Sequence, residues 1–312
     1  MTLQQLRYLI AIAESGSISA AAKRVYASQS NLSLAIKELE EEFDITVFTR
    51  SNRGVTLTNE GTELLAYARQ VVEQADVLER RFAHAEAGVD RLAISTQHYA
   101  FCVQAFIDTI EDYDGTRYDF VMREAPTYEI VDDVRDFRSD IGVLYTDKNS
   151  KRVLGQAFED AKLVFHPLFE APVHVFVGAS HPLAGRDLIT LADLEPYPRY
   201  SFEQGTTNSF FFSEEPLNYV PHERNIRISD RATLTSLLTD HVGYTLSTGV
   251  LTPEMQSGIV SIPLDTDVAM TVGYLTHREH LLGPLQESYL AHLREVVRNN
   301  ASVVRYLDPD GR

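Results

Sequence analysis

The 312 residues predict a multi-domain α/β chain, and three observations carry that expectation. Before about residue 89, apolar residues recur mostly at helical spacing, interrupted by one short stretch with strand character. Beyond it, short and nearly continuous apolar runs alternate with helical segments, as in buried and mainly parallel sheets. The charge divides at the same place. The formal net charge is −17, yet residues 1–58 carry six basic and six acidic residues, so the whole acidic excess lies further on. The expected units are a head over 1–58, a linker helix over 59–88 and a body over 89–312.

Composition narrows the function classes. A chain of this length with 44% hydrophobic residues buries more than one core. No run approaches the roughly 18 to 20 apolar residues of a membrane span, and the N-terminus begins amphipathic rather than as a signal segment. Cytoplasmic residence without a membrane partner is expected. The single cysteine, Cys102, excludes an internal disulfide and a switch built from two thiols of one chain. A neutral head on an acidic body suits a protein whose head alone meets a polyanion, with modest non-specific affinity.

In the head, Leu3, Leu6, Leu9, Ile10 and Ala13 form the apolar face of a first helix ending at Ser15-Gly16. Ser17 or Ser19 caps a second, whose Ala20, Ala21, Ala22 and Val25 allow close packing on a third across the turn Tyr26-Ala27-Ser28. The third helix buries Leu32, Ile36, Leu39 and Phe43. Its other side carries Ser30, Leu34, Lys37 and Glu41, flanked in front by Gln29 and Ser33, while Glu40, Glu41 and Glu42 gather at the far end. Short polar groups at a helix N-terminus approach base edges and phosphates closely. Ser28, Gln29, Ser30, Asn31, Ser33 and Lys37 are therefore the candidate DNA-reading residues. A helix-turn-helix alone is degenerate, and a three-helix bundle without a DNA role shares the pattern. Residues 47–58 favour the first reading, because two short strands joined by a basic, glycine-bearing turn make a winged helix-turn-helix. Arg50 and Arg53 join the candidates, with Arg53 at the tip suited to a minor groove.

From Asn59 to about Ala85, Leu64, Ala68, Val71, Ala75, Leu78 and Phe82 alternate four and three apart. So narrow a stripe on a long charged helix favours pairing with a second copy, the alternative being a helix packed on its own domain. Gly88-Val89-Asp90 marks the boundary.

These residues resemble the LysR-type transcriptional regulators, over the whole chain. In the head the resemblance rests on Ser28, Gln29, Ser30, Leu32, Ser33, Ile36, Leu39 and Glu40, and in the wing on Phe48, Arg50, Arg53, Gly54, Leu57, Thr58 and Gly61. In the body it rests on His181-Pro182-Leu183-Ala184 and Leu191-Ala192-Asp193-Leu194. Leu34 and Ala35 depart from it, standing where basic or polar residues are frequent. The resemblance implies a homodimer or homotetramer on inverted-repeat double-stranded DNA, with RNA polymerase as a further partner. It also implies a body of two α/β subdomains like a periplasmic solute-binding protein, about 89–165 with 267–300 and about 166–266. The chain would cross between them near 164–169 and 262–269, with a small effector in the cleft.

In open α/β sheets ligands lie beyond the carboxyl ends of strands. The first such end is Ser95-Thr96-Gln97, ahead of the helix carrying Cys102 and Phe106, and Tyr145 ends the run beginning at Ile141. Across the cleft Ser201, Phe202 and Thr206 follow one strand, and Ser247 and Thr248 close another. Hydroxyls at a helix start suit an anionic effector, and Ser95 and Thr96 equally suit capping of that helix; the resemblance, through Thr96-Gln97, implies ligand contact. His277-x-x-His280 reads as a surface helix start rather than a metal site, and Cys102 as a small buried residue. No nucleophile elbow, phosphate loop or dinucleotide fingerprint occurs, so neither an enzyme nor a cofactor is expected. The second reading of the chain is a small-molecule binding protein whose head serves oligomerisation.

Overall fold

The computed structural model describes residues 1–51, 54–83, 88–205, 210–252, 258–300 and 302–307. Of the candidate residues, Arg53 and Thr206 lie outside the described residues, as do the side chains of Arg50 and Phe82. The chain divides into two compact units, Met1–Gly88 and Val89–Arg312.

In the first unit, α1 (Leu3–Ser15) starts from a capping box in which Thr2 and Gln5 satisfy each other's amides. Ser17 caps α2 (Ile18–Arg24), and the buried Ala21 and Ala22 let the helices approach. Ser28 caps α3 (Gln29–Phe43), its hydroxyl accepting from the Asn31 amide at 3.1 Å. Leu32, Ile36 and Leu39 join Leu6, Leu9, Ile12 and Val47 in one core. Two end residues leave the expected apolar faces. Phe43 is exposed, because the chain turns away at Asp44 in the left-handed conformation, and Leu3 is exposed at the open start of α1.

The wing is an antiparallel pair, β1 (Phe48–Ser51) and β2 (Gly54–Leu57). Glu40 fastens it to α3, one carboxylate oxygen accepting from the amides of Val47 at 2.7 Å and Phe48 at 3.2 Å. The Val55 amide donates to the Gly16 carbonyl at 3.0 Å. Gly54 has φ +126°, and a Cβ there would meet that carbonyl oxygen at 2.5 Å, so the docking requires glycine. α4 (Asn59–Ala83) then packs its first turns on α1 through Leu65 and Ala68, and Arg7 pairs with Asp76 at 2.6 Å.

The second unit runs β3 (Asp90–Thr96), α5 (Ala100–Glu111), β4 (Tyr118–Glu124), α6 (Thr127–Arg135), β5 (Ile141–Thr146), α7 (Lys151–Asp160) and β6 (Leu163–Pro172). It continues through β7 (His174–Gly178), α8 (Leu191–Leu194), β8 (Arg199–Phe202), β9 (Asn225–Ile228), α9 (Arg231–Asp240), β10 (Tyr244–Ser247) and β11 (Ile259–Pro263). It ends with β12 (Ala269–His277), α10 (Pro284–Arg298) and β13 (Arg305–Tyr306). Two sheets result, ordered β13-β6-β12-β5-β3-β4 and β11-β7-β10-β8-β9. One apolar core includes strands of both, among them Ile94, Val143, Val175 and Leu246.

The sheets are mixed rather than mainly parallel. β3 pairs in parallel with β4 and β5, and β8 with β9 and β10. Antiparallel pairing enters through the strands that carry the chain between sheets: β12 against β5 and β6, and β7 against β10 and β11. The first crossing comes at 172–174, later than residues 164–169, because β6 stays paired with β12 as far as Pro172 opposite Ala269. The return lies between β11 and β12, at 264–268.

Candidate DNA-reading face and effector cleft

On α3 the side chains divide by exposure. Ser28, Gln29, Ser30, Asn31 and Lys37 are exposed and Ser33 is half-buried, against the buried Leu32, Ile36 and Leu39. Ser28 doubles as the cap, and its hydroxyl meets that of Ser30 at 3.0 Å. Lys37 reaches Glu41 one turn on, at 3.3 Å in a largely exposed position. Leu34, 57% exposed, adds an apolar patch to this face. Tyr26, read in the sequence only as part of the turn, also lies on the exposed surface. It occupies the turn before α3 with φ +52° and is 98% exposed, which a turn residue of large apolar area could have signalled.

The seam residues of α4 fall into two groups. Ala68 is buried in the head's own core and so closed to a second copy, and Leu64 is half-buried against that core. Val71 and Leu78 are 41% and 59% exposed, and Tyr67, one turn before Val71, is exposed with them. The outward stripe is therefore Tyr67, Val71 and Leu78, with Ala75 half-buried.

In the body, the first strand end is occupied by its own neighbours. Ser95 donates to Asp133 at 2.6 Å and meets Ser139 at 2.8 Å, both within the buried interior. Gln97 donates to Thr127 at 2.6 Å and accepts from the Tyr145 amide at 3.0 Å, which ties β3 to α6 and β5. Neither Ser95 nor Thr96 caps α5, whose N-cap is Tyr99 without a side-chain cap bond. The capping alternative is thus removed. Thr96 is fully buried, with no hydrogen-bond partner for its hydroxyl. Its neighbour is the Cys102 thiol, which burial pushes up to about 12 even though the Thr96 and Tyr289 hydroxyls act the other way. His277 ends β12 and accepts from the Glu279 amide, so His277 and His280 belong to a strand end and turn rather than a helix start.

The residues just after that strand end form the cleft. His98, Tyr99 and Phe101 line a small cavity with Phe202, Glu214, Glu215, Arg231, Ser247 and Thr248, closed by Phe176, Leu246, Val250 and Ile259. Its volume is ≈ 40 Å³, room for roughly three water molecules at most. Ser201 lies instead on an adjoining polar hollow of ≈ 430 Å³, which shares Phe202 and Glu215 with the cavity and adds Arg199, Asn218 and Arg227.

Two ion pairs bridge the sheets here. The His98 ring nitrogen lies 2.8 and 3.0 Å from the two Glu214 oxygens, and the His98 amide donates to the same carboxylate at 3.0 Å. Both side chains are about 95% buried, at 5% and 4% relative exposure. The imidazole stacks on Phe202 at 3.8 Å, with 6° between the ring planes. Arg231, at the start of α9, pairs with Glu124, at the end of β4, at 2.7 Å. Burial alone would lower the His98 pKa, but Glu214, with Glu124 and Glu215 behind it, outweighs burial and raises it. Glu215 is pushed up to about 7, by burial first and then by Glu214, against the bonds it accepts from the Phe202 amide and Ser213.

The sequence suggested an anion in this place, and the charges have the opposite balance. Among the described residues lining the cavity, both cations already hold carboxylates. Sequence reasoning stopped one residue short of His98 and passed over Glu214 and Glu215. Two adjacent acids directly after Phe210-Phe211-Phe212-Ser213 were the available signal, since an acid pair in apolar company marks a perturbed site.

The family model of bacterial regulatory helix-turn-helix proteins of the lysR family matches residues 3–62, and that of the LysR substrate-binding domain matches residues 101–298. The HTH-type transcriptional regulator MetR of Haemophilus influenzae is 29% identical over 192 residues, which is 60% of this chain and 58% of MetR. YbhD of Escherichia coli, an uncharacterised HTH-type transcriptional regulator, is 26% identical over 299 residues, 93% of this chain and 90% of that protein. The fold is that of CbnR, a LysR family transcriptional regulator. Its crystal structure covers 95% of this chain and 99% of its own at 18% identity with a TM-score of 0.59, and its complex with target DNA gives 0.61 at 19% identity. Among the described residues no helix is long and apolar enough to cross a membrane. With both family models matched in order along it, the chain belongs to the LysR family of DNA-binding transcriptional regulators.

Proposed function

We propose that this regulator reads an inverted-repeat operator in the cytoplasm as a dimer or tetramer, and passes the state of the cleft between the two sheets of its body to RNA polymerase. The exposure pattern of α3 carries the reading of the head. A helix held by Leu32, Ile36 and Leu39 leaves Gln29, Ser30, Asn31 and Ser33 turned outward at its N-terminal end, the geometry of a recognition helix entering a major groove. Leu34 adds an apolar contact of the kind that favours a thymine methyl over cytosine. Arg50 and Arg53 supply phosphate or minor-groove contacts from the wing. Tyr67, Val71 and Leu78 on α4 supply the contact between copies.

Selection of bound fragments from sheared genomic DNA, followed by affinity measurement against salt, tests this reading. The expected outcome is a shared palindromic site, with affinity falling steeply as salt rises because each phosphate contact releases counterions. Recovery of no common sequence, with the chain still oligomeric, would instead mark the head as an oligomerisation module.

A further inference from the structure

We infer that the effector is a cation: a protonated nitrogen on an apolar body, which takes the place of the His98 imidazolium against Glu214. The inference rests on the reading of the cleft as the effector site. Two adjacent buried carboxylates, Glu214 and Glu215, border the cavity, and its cations are held by carboxylates already, His98 by Glu214 and Arg231 by Glu124. An incoming anion would have to take a cation from its partner, buried at Glu214 and half-buried at Glu124, and leave that carboxylate uncompensated. A cation replaces a cation and leaves the balance as it was.

Two further features fit the same ligand. The imidazole lies flat on Phe202, and the face of a desolvated aromatic ring is itself attractive to a cation. Tyr99 also lines the cavity, and its buried hydroxyl has no hydrogen-bond partner, leaving one unfilled polar group for the ligand to meet. The remaining walls, Phe101, Phe176, Leu246 and Val250, are apolar. At ≈ 40 Å³ the cavity has no space for a ligand beside His98. Ligand and latch therefore exclude one another, and occupancy must part His98 from Glu214 and loosen one of the two bridges between the sheets.

Proton linkage follows from the groups that face His98: Glu214 and Glu215 after the turn at Phe210–Phe212, Glu124 at the end of β4, and Asp230 and Arg231 at the start of α9. As pH rises, His98 gives up its proton and Glu215 gains a charge, and both changes favour an added cation. An anion would show the reverse dependence.

The test is calorimetric titration of the full-length protein with 2-phenylethylamine and with 3-phenylpropanoate, of similar size and opposite charge. The amine is expected to bind, more tightly as pH rises, and more tightly still to His98→Gln, which removes the competing cation. Glu214→Gln should weaken it by about ten- to a hundredfold, the loss of a charged hydrogen bond. Circular dichroism spectra that match the wild type show that both variants fold. Binding of the carboxylate, with loss in Phe202→Ala, would keep the cleft as the site and overturn the charge assignment. Failure of the amine to bind either wild type or His98→Gln, or binding that ignores Glu214→Gln, would overturn the inference.

Discussion

The front of α3 and the cleft of the body treat their polar groups in opposite ways. On α3 the amides of Gln29 and Asn31 and the hydroxyl of Ser33 lie beyond a complete apolar core, so that the helix is stable without them. In the cleft the side chains of His98, Glu214 and Glu215 are buried and that of Arg231 is half-buried, and each already holds a partner, so that the groups available to a ligand are also groups that hold the two sheets together. The first surface binds by adding contacts; the second binds by exchanging them. Changes on α3 should therefore separate affinity from stability, and changes in the cleft should move both.

The largest expected effect lies in the cleft. Glu214→Gln strands the His98 charge in the interior, and removal of one partner of a buried pair costs about 3 kcal/mol, read from the body's urea transition. The His98 pKa is raised above 6.5 in the folded state, so the pair's stabilisation is full below that value and is lost as pH rises through the folded pKa. The deficit of Glu214→Gln should therefore be larger at about pH 6 than at about pH 8.5. A deficit independent of pH would mean that the pair is not held by a proton.

On the head, Val71→Asp and Leu78→Asp place carboxylates on the exposed stripe of α4. They should leave the monomer's stability within about 0.5 kcal/mol, as surface changes do, and shift sedimentation toward monomer. Ala68→Asp should act otherwise, unfolding the head because Ala68 is buried within it. If Val71→Asp and Leu78→Asp both sediment as wild type, the stripe is not the seam. A smaller effect belongs to Ser33→Ala, expected to weaken operator binding by about 1 kcal/mol with the melting temperature unchanged. The smallest is Thr96→Val. Its hydroxyl is buried without a partner, so an isosteric methyl should leave stability unchanged or raise it, and ligand affinity should stay intact. A clear loss of affinity would return Thr96 to the site.

How legible each region was follows from the range of its interactions. The helices, wing and apolar faces of the head came from local rules, since caps such as Ser17 and Ser28 and the spacing of Leu32, Ile36 and Leu39 act within a few residues. Phe43 and Leu3 escaped those rules because end residues lose the neighbours that would cover them. On α4 a regular 3.5-residue repeat was visible, but not that α1 would cover Leu64 and Ala68. The cleft depended on long-range pairing. Nothing near His98 announces Glu214, 116 positions away, and the hydroxyls at the first strand end gave no sign that Asp133 and Thr127 would occupy Ser95 and Gln97. Strand positions were read from apolar runs, whereas strand direction was not, because β7 and β12 owe theirs to the crossings between sheets.

A cleft closed by its own ion pair is tested most directly by the NMR titration of His98 in the full-length protein and in Glu214→Gln. The wild-type ring is expected to titrate above 6.5, and the variant ring below it, because burial then acts without the carboxylate that outweighs it. An unshifted His98 in the wild type, or the same value in both proteins, would contradict the latch.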